Sequence, residues 1–156
     1  MMAEPDPHSA PVSEEALDAF VRAFELGTLT KSRWTHEGHL AAGAHYVFLL
    51  GEAAAMDRMR ERVRAYNEAV GRANTASSGY HETLTRMWIR VLARLLLDST
   101  GRSRLGFVQL AVERLGPQRN LHTLLYDFDV VKDPRARTEW VEPTGQLPED
   151  LLGKTS

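Results

Sequence analysis

Apolar residues recur every three or four positions along most of this chain, which is the spacing of one face of an α-helix. The strongest pattern runs from about residue 80 to 98, and similar patterns cover about 13–27, 32–50, 52–70 and 103–115. Ser13, Gly27, Gly51 and Gly116 stand at the ends of these segments, as residues that cap or stop helices do. The sequence therefore predicts an all-α, single-domain helical bundle of about four main helices plus short C-terminal helices.

Other features refine this prediction. The small residues at 41–44 predict that a neighbouring helix approaches the second helix closely. Ser32 is the candidate cap of the second helix, and Ser77 or Ser78 is the candidate cap of the fourth, which begins at about residue 80. For residues 118–131 we predict a short sixth helix with an extended exit from Asp127. One further helical turn begins at residues 133–134, and Trp140 pins the tail to the body.

The two ends of the chain lack any such pattern. Residues 1–12 are acidic and rich in proline, so we predict a disordered N-terminal segment, a domain over 13–148 and a disordered tail over 149–156. The N-terminal segment has no apolar stretch of the kind found in a signal peptide, and no apolar run reaches the roughly 20 residues of a membrane helix. We expect a soluble, cytoplasmic protein without a membrane partner.

Composition narrows the chemistry. The chain has 156 residues, a formal charge of −2 and no cysteine. A charge so close to neutral gives no reason to expect a nucleic-acid partner. Without cysteine, disulfides, thiolate metal sites and a cysteine nucleophile are excluded. Histidine and the carboxylates are then the strong metal ligands that remain.

Three of the six histidines stand at the starts of two predicted helices. His36 and His39 are three positions apart and project together, while His81 is in register with apolar residues of its own helix and points inward. Three converging nitrogen ligands are the number that a catalytic zinc or non-haem iron site uses. We therefore predict a divalent metal ion at these histidines. Zinc, iron, manganese, nickel and copper are not distinguished.

Two carboxylates stand beside these histidines. Glu37 and Glu82 are each offset from the inward direction, and either could be a fourth ligand, a general base or a partner that orients an imidazole. The H-E-G-H stretch at residues 36–39 is not the H-E-x-x-H motif of zincin proteases, because its histidines are one residue too close. A protease of that type is excluded.

Further polar residues could orient a small ligand in a pocket beside the histidines. The candidates share positions on or near the two stretches: Asn67, Asn74, Thr75, Tyr80, Thr85 and Arg86, the last for a substrate carboxylate. Helix capping and loop hydrogen bonds are the alternative role of these residues, and ordinary structural positions are the alternative role of the histidines. His45 is expected to be solvated or on a secondary interface. His122 could be a further metal ligand or an ordinary core residue, and the core position is favoured.

The W-T-H-x-x-H-L stretch at residues 34–40 and the Y-H-E-T-L-T stretch at 80–85 resemble a family of small bacterial all-helical proteins. The resemblance covers roughly residues 15–148 and includes the tail around Trp140. It implies that the two histidine stretches belong together. The family carries no established activity, so the resemblance implies no mechanism.

These observations lead to one hypothesis and two alternatives. The leading hypothesis is a metal-dependent enzyme that acts on a small polar molecule. The first alternative is a metal-free binding or regulatory protein that uses the same pocket, and the second is a metal-free enzyme with an acid–base pair at His81 and Glu82. A homodimer through the aliphatic fifth helix is also possible on sequence grounds.

Overall fold

The computed structural model describes residues 5–151, and this part of the chain forms helices and loops without a β-strand. The helices are α1 (Glu14–Leu26), α2 (His36–Leu50), α3 (Glu52–Ala69), α4 (Glu82–Leu97), α5 (Arg104–Leu115), α6 (His122–Leu125) and α7 (Pro134–Thr138), with a short 3-10 turn over Lys31–Arg33 before α2. The predicted all-α class is confirmed.

Helix α2 lies at the centre and packs against α3, α4 and α5. It is buried along most of its length, including the small residues at 41–44. At Gly43, a Cβ atom would lie 2.8 Å from the Cδ1 atom of Leu92 on α4. Glycine therefore permits α4 to come close to α2, as the run of small residues predicts.

The first helix has the limits that the sequence predicts. Ser13 Oγ accepts a hydrogen bond of 3.0 Å from the backbone N–H of Ala16, and Gly27 ends the helix with φ +73°. A residue with a side chain rarely adopts this φ, which explains the glycine. Its buried face consists of Leu17, Phe20, Val21 and Phe24.

Helices α2 and α4 begin later than predicted, because neither uses a serine cap. Thr35 caps α2, where its Oγ1 accepts a hydrogen bond of 3.1 Å from the N–H of Gly38, so α2 begins at His36 and not near Ser32. His81 caps α4, which begins at Glu82 and not at residue 80. Both capping residues belong to the two histidine stretches, residues 34–40 and 80–85.

The segment after α5 contains the predicted short sixth helix, α6, which is followed by extended backbone at Tyr126. Within residues 118–131, the helix is confined to His122–Leu125. Tyr126 and Val130 lie in the loop that follows, and both side chains are buried in the core. The predicted turn after Asp133 is present as α7, and Asp133 Oδ1 accepts the N–H of Ala136 at 2.9 Å. Trp140 lies against Arg86 and Arg90 of α4, with guanidinium-to-ring distances of 5.1 and 5.3 Å.

Residues 5–12 belong to the segment predicted as disordered, and two of its proline carbonyls accept hydrogen bonds from the body of the protein. Proline lacks an N–H but keeps its carbonyl. The carbonyl of Pro7 accepts a hydrogen bond of 2.6 Å from Thr35 Oγ1, and the carbonyl of Pro11 accepts one of 2.9 Å from Gln109. Residues 1–4 and 152–156, which complete the two segments predicted as disordered, lie outside the described residues.

The apolar side chains of α5 are buried within this chain, against α2. The fifth helix therefore offers little aliphatic surface to a second copy, and the homodimer stays a prediction. Between residues 5 and 151, none of the helices combines the length and the apolar character that crossing a bilayer requires.

Candidate functional site

A cavity of about 350 Å³ lies between α2, α3, α4 and the loop over residues 71–81. We call it the central cavity. Its walls are mostly apolar and aromatic: Trp34, Leu40, Gly43, Met59, Val63, Tyr80, Leu84, Trp88, Ile89 and Leu92. Thr35, His36, His39, Asn67, Arg72, Gly79, His81 and Thr85 complete the lining. The two histidine stretches of the sequence thus meet at one cavity of the size that small-molecule sites have.

His36 is fixed by the backbone of α5. Its Nε2 atom lies 3.0 Å from the carbonyl oxygen of Leu115. Because a carbonyl only accepts, Nε2 carries the proton and Nδ1 has a free lone pair. Burial lowers the pKa of His36 and outweighs the Leu115 hydrogen bond and the Glu37 charge, which both raise it. The ring is neutral at pH 7 and makes an edge contact with Trp88 at 5.0 Å between ring centroids.

His39 is fixed in the same way by the turn that precedes it. Its Nδ1–H donates to the carbonyl of Thr35 at 2.7 Å, and its ring lies 3.9 Å from that of Trp34. The ring has accessible surface because it lines the cavity, although protein atoms surround its other sides. Desolvation lowers the pKa of His39 in spite of the Thr35 hydrogen bond, and the charges of His36 and Arg72 lower it further. His39 therefore presents a neutral ring whose Nε2 can accept a hydrogen bond.

His81 differs from the other two, because both of its nitrogens have protein partners. Nε2–H donates to the carbonyl of Val130 at 2.8 Å, and Nδ1 accepts the N–H of Leu84 at 3.1 Å as the cap of α4. In this arrangement the ring has no lone pair for a metal ion. A metal bound by all three histidines would require His81 to release one of these hydrogen bonds.

No group of three or more His, Asp or Glu side chains within residues 5–151 is arranged to hold a metal ion. The metal site stays a prediction.

Glu82, the first catalytic candidate, lies outside the lining of the central cavity. Arg60 binds its carboxylate through two hydrogen bonds, Nε to Oε1 at 2.9 Å and Nη2 to Oε2 at 2.8 Å, and the hydroxyl of Tyr80 donates to Oε1 at 2.7 Å. The hydrogen bond from Arg60 lowers the pKa of Glu82. A carboxylate with these partners is a weak base, and its role here is to join α3, α4 and the wall of the cavity.

Glu37, the second catalytic candidate, also lies outside this lining. It is buried, with His8 Nδ1 at 3.0 Å and Arg119 Nη2 at 3.2 Å from Oε1. Burial raises its pKa, but the hydrogen bond from His8 and the charge of Arg119 outweigh this effect and lower the pKa. Both carboxylates thus lie outside the cavity lining, in keeping with their predicted offset from the inward direction of the helices, and both bind other residues.

Three of the six predicted ligand-binding residues line the central cavity: Asn67, Tyr80 and Thr85. Thr85 Oγ1 donates to the carbonyl of His81 at 2.7 Å. The Nδ2 of Asn67 donates to Asn74 Oδ1 at 2.9 Å, which leaves the Asn67 Oδ1 as an acceptor.

The other three have different positions. Asn74 and Thr75 lie on the outer side of the loop over residues 71–81, and Arg86 lies over the ring of Trp140. For Asn74 the structural alternative is observed, because its side chain also accepts the N–H of Tyr80 at 3.0 Å and donates to the carbonyl of Arg64 at 3.1 Å.

Arg72 lines the central cavity but was missed by the sequence analysis. It is the one Lys, Arg, Asp or Glu side chain in the lining, and its guanidinium has no ion pair or hydrogen bond to any residue in the described range 5–151. The backbone N–H of Arg72 donates to the carbonyl of Asn67 at 2.7 Å, which holds the start of the loop beside the cavity. The available signal was a cation directly after Gly71, in the loop that leads into the second histidine stretch.

His45 is buried, so the predicted solvated position is wrong. Its Nδ1 accepts a hydrogen bond of 3.3 Å from Arg104, whose guanidinium also pairs with Glu14 and Asp18 of α1. His45 thus joins α2 to α5 and does not line the central cavity.

Comparisons of this chain with protein-family models, with curated proteins and with solved structures find no match. The resemblance of the two histidine stretches to a bacterial family stays a prediction. The function is therefore argued from the central cavity itself.

Proposed function

We propose that the central cavity binds a small organic acid with an aromatic or apolar body. The observation that carries the proposal is the charge of the lining, in which Arg72 is the one fully charged group among apolar and aromatic walls. A cation without a carboxylate partner, at the edge of a partly desolvated space, favours an anion. This function corresponds to the metal-free binding alternative, with the chemical class of the ligand now specified.

The neutral histidines add a second requirement. His36 Nδ1 and His39 Nε2 are acceptors, because their other nitrogens donate to backbone carbonyls. A ligand that satisfies them brings a hydroxyl or N–H donor of its own. Trp34 and Trp88 offer flat apolar surface on which an aromatic ring can pack. A hydroxylated aryl acid combines all three features.

A set of matched compounds tests the proposal. We expect 4-hydroxyphenylacetate to bind more tightly than 4-hydroxyphenylacetamide, by roughly tenfold if the carboxylate forms one charge-assisted hydrogen bond to Arg72. Phenylacetate isolates the contribution of the hydroxyl. The measurement is isothermal titration calorimetry at pH 7.5.

Two variants assign the effect to Arg72. Arg72→Gln should lose the preference for the acid over the amide, while Arg102→Gln, an exposed arginine outside the lining, should keep it. Equal affinities for acid and amide in the wild-type protein, or no binding of any acid in a panel of plain and hydroxylated arylacetates, would contradict the proposal.

The metal-dependent enzyme remains a second candidate, and one observation favours it. His36 and His39 stand on the same turn of α2, and each has a nitrogen lone pair that no described residue uses. A metal ion held there would lie in the cavity beside the ligand, where it could act on a substrate.

Elemental analysis of dialysed protein separates the two candidates. Near-stoichiometric metal in the wild type, lost in His36→Ala and in His39→Ala but kept in His122→Ala, would support the metal site. Folded wild-type protein that takes up none of zinc, iron(II), manganese, nickel and copper would eliminate it.

A further inference from the structure

A second depression lies on the outer side of the loop over residues 71–81 and has a different chemistry. Its volume is about 480 Å³, and Tyr80 lines both it and the central cavity. Three arginines line it, namely Arg60, Arg64 and Arg137, together with polar side chains of the loop. We call it the arginine depression.

Its charges do not balance. Glu82 is the one carboxylate in the lining, and Arg60 already binds it through two hydrogen bonds. Arg64 and Arg137 have no carboxylate partner within residues 5–151. Arg60 also pairs with Asp57, outside the lining, at 3.0 Å, so Arg64 and Arg137 are the two guanidinium groups of the depression that are left without a carboxylate among the described residues.

Arg137 is held in place without being neutralised. Its Nη1 donates to the carbonyl of Gly79 at 2.7 Å, and its Nη2 lies 3.4 Å from the carbonyl of Val131. Desolvation and the neighbouring charge of Arg72 lower the pKa of Arg137, but a guanidinium remains charged at neutral pH. These hydrogen bonds to backbone carbonyls hold the Arg137 guanidinium in one orientation, so a ligand does not have to order this side chain on binding.

The loop brings the remaining groups together. Asn74 Nδ2 donates to the carbonyl of Arg64 at 3.1 Å, which fastens the loop to the last turns of α3. This contact places the exposed Arg64 side chain and the hydroxyl of Thr75 around the same depression as Arg137.

We infer that the arginine depression binds the phosphate group of a small molecule, a phosphomonoester or a diphosphate. The oxygens of a phosphate dianion accept hydrogen bonds from several directions at once, so one phosphate can bind both Arg64 and Arg137, which stand on different elements. A single carboxylate has fewer acceptor directions and half the charge. The inference concerns a site separate from the central cavity and stands without the organic-acid proposal.

The test is calorimetric titration of the full chain with pyrophosphate and with inorganic phosphate, at an ionic strength kept constant with chloride. Arg64→Gln removes an exposed side chain with no protein partner in the described range, so the variant is expected to fold normally, which circular dichroism checks. We expect this variant to bind pyrophosphate at least about tenfold more weakly than the wild type. The matched control, Arg102→Gln, should bind it as the wild type does.

Phenyl phosphate distinguishes the two sources of the group. Binding tighter than that of inorganic phosphate assigns the site to an ester, and equal or weaker binding assigns it to free phosphate or diphosphate; both support the inference. Absence of pyrophosphate binding, or equal affinities in the wild type, Arg64→Gln and Arg102→Gln, would overturn it. Arylacetate binding that persists in that case leaves the proposal for the central cavity intact.

Discussion

Asn67 and Asn74 are joined by a hydrogen bond of 2.9 Å between their side-chain amides, across the turn that follows α3. Asn67 is buried at the edge of the central cavity, and Asn74 belongs to the loop that carries Arg72. This bond therefore connects a buried residue of the cavity lining to the loop that carries Arg72.

We predict that Asn74→Ala loosens this loop. The substitution removes the bonds to the side chain of Asn67, the N–H of Tyr80 and the carbonyl of Arg64, and it leaves a buried amide without its partner. The expected loss of unfolding free energy is about 2–3 kcal/mol, measured by urea denaturation. Asn120→Ala, at an exposed side chain, is the control. An Asn74→Ala protein as stable as that control would contradict the prediction.

Two glycines of the same loop separate backbone strain from steric conflict. Gly71 and Gly79 have φ values of +83° and +79°. A Cβ at Gly71 meets nothing within 4 Å, whereas one at Gly79 lies 2.4 Å from the carbonyl oxygen of Ala73. Gly71→Ala should cost about 1 kcal/mol from the φ value alone, and Gly79→Ala distinctly more. Melting temperatures compare the two, and equal shifts would show that Ala73 moves away at no cost.

Acidification from pH 7 to pH 5 should destabilise the fold through its histidines. Burial lowers the pKa of His36, His45 and His81 in the folded protein. The unfolded chain binds protons near pH 6.5, so the stabilisation is complete above that pH and is lost as the pH falls toward the lower folded-state values. Glu37 and Glu82 have lowered pKa values, and their contribution is lost only at more acidic pH, below about 4.5.

His81→Asn tests the contribution of His81 to this pH dependence. Asparagine is a good N-cap, so it retains the cap of α4 but cannot take up a proton in this range. We expect a smaller loss of unfolding free energy between pH 7 and pH 5 than in the wild type, measured by urea titrations at both values. Identical losses in the two proteins would show that His81 does not contribute.

The pair of Arg60 and Glu82 should be worth more than an exposed ion pair. It is bidentate, and the Glu82 side chain is only 13% exposed. A double-mutant cycle with Arg60→Ala and Glu82→Ala should give a coupling of about 1–2 kcal/mol. The exposed pair of Arg135 and Glu139 on α7 should give at most about 0.5 kcal/mol. Couplings of equal size would mean that the partial burial of Glu82 adds nothing.

Much of the fold follows from local sequence rules. The apolar spacing predicts the helices, and Ser13 and Gly27 act through side-chain and backbone chemistry that is local to one helix end. The start of α4 was misplaced because a histidine is an unusual cap, and its choice over Ser77 or Ser78 depends on the distant carbonyl of Val130. The arrangement as a bundle of about four main helices stays a prediction.

The positions of the site residues are likewise predictable only where local geometry determines them. Helical geometry placed His36 and His39 together, because they lie on one turn of one helix. The positions of Glu37 and Glu82 were not predictable, because each is decided by an arginine far away in the sequence, Arg119 and Arg60. The position of Arg72 depends equally on a tertiary contact, between the backbone of the loop and Asn67.

The aromatic residues described above have a spectroscopic consequence. The chain contains three tryptophans, of which Trp34 and Trp88 line the central cavity and Trp140 lies on the outside against two arginines. Each cavity tryptophan is in contact with an imidazole, His39 for Trp34 and His36 for Trp88. In a Trp140→Phe variant, all indole emission therefore comes from the cavity. Its intensity and wavelength report directly on what occupies that space and on the protonation of the two histidines.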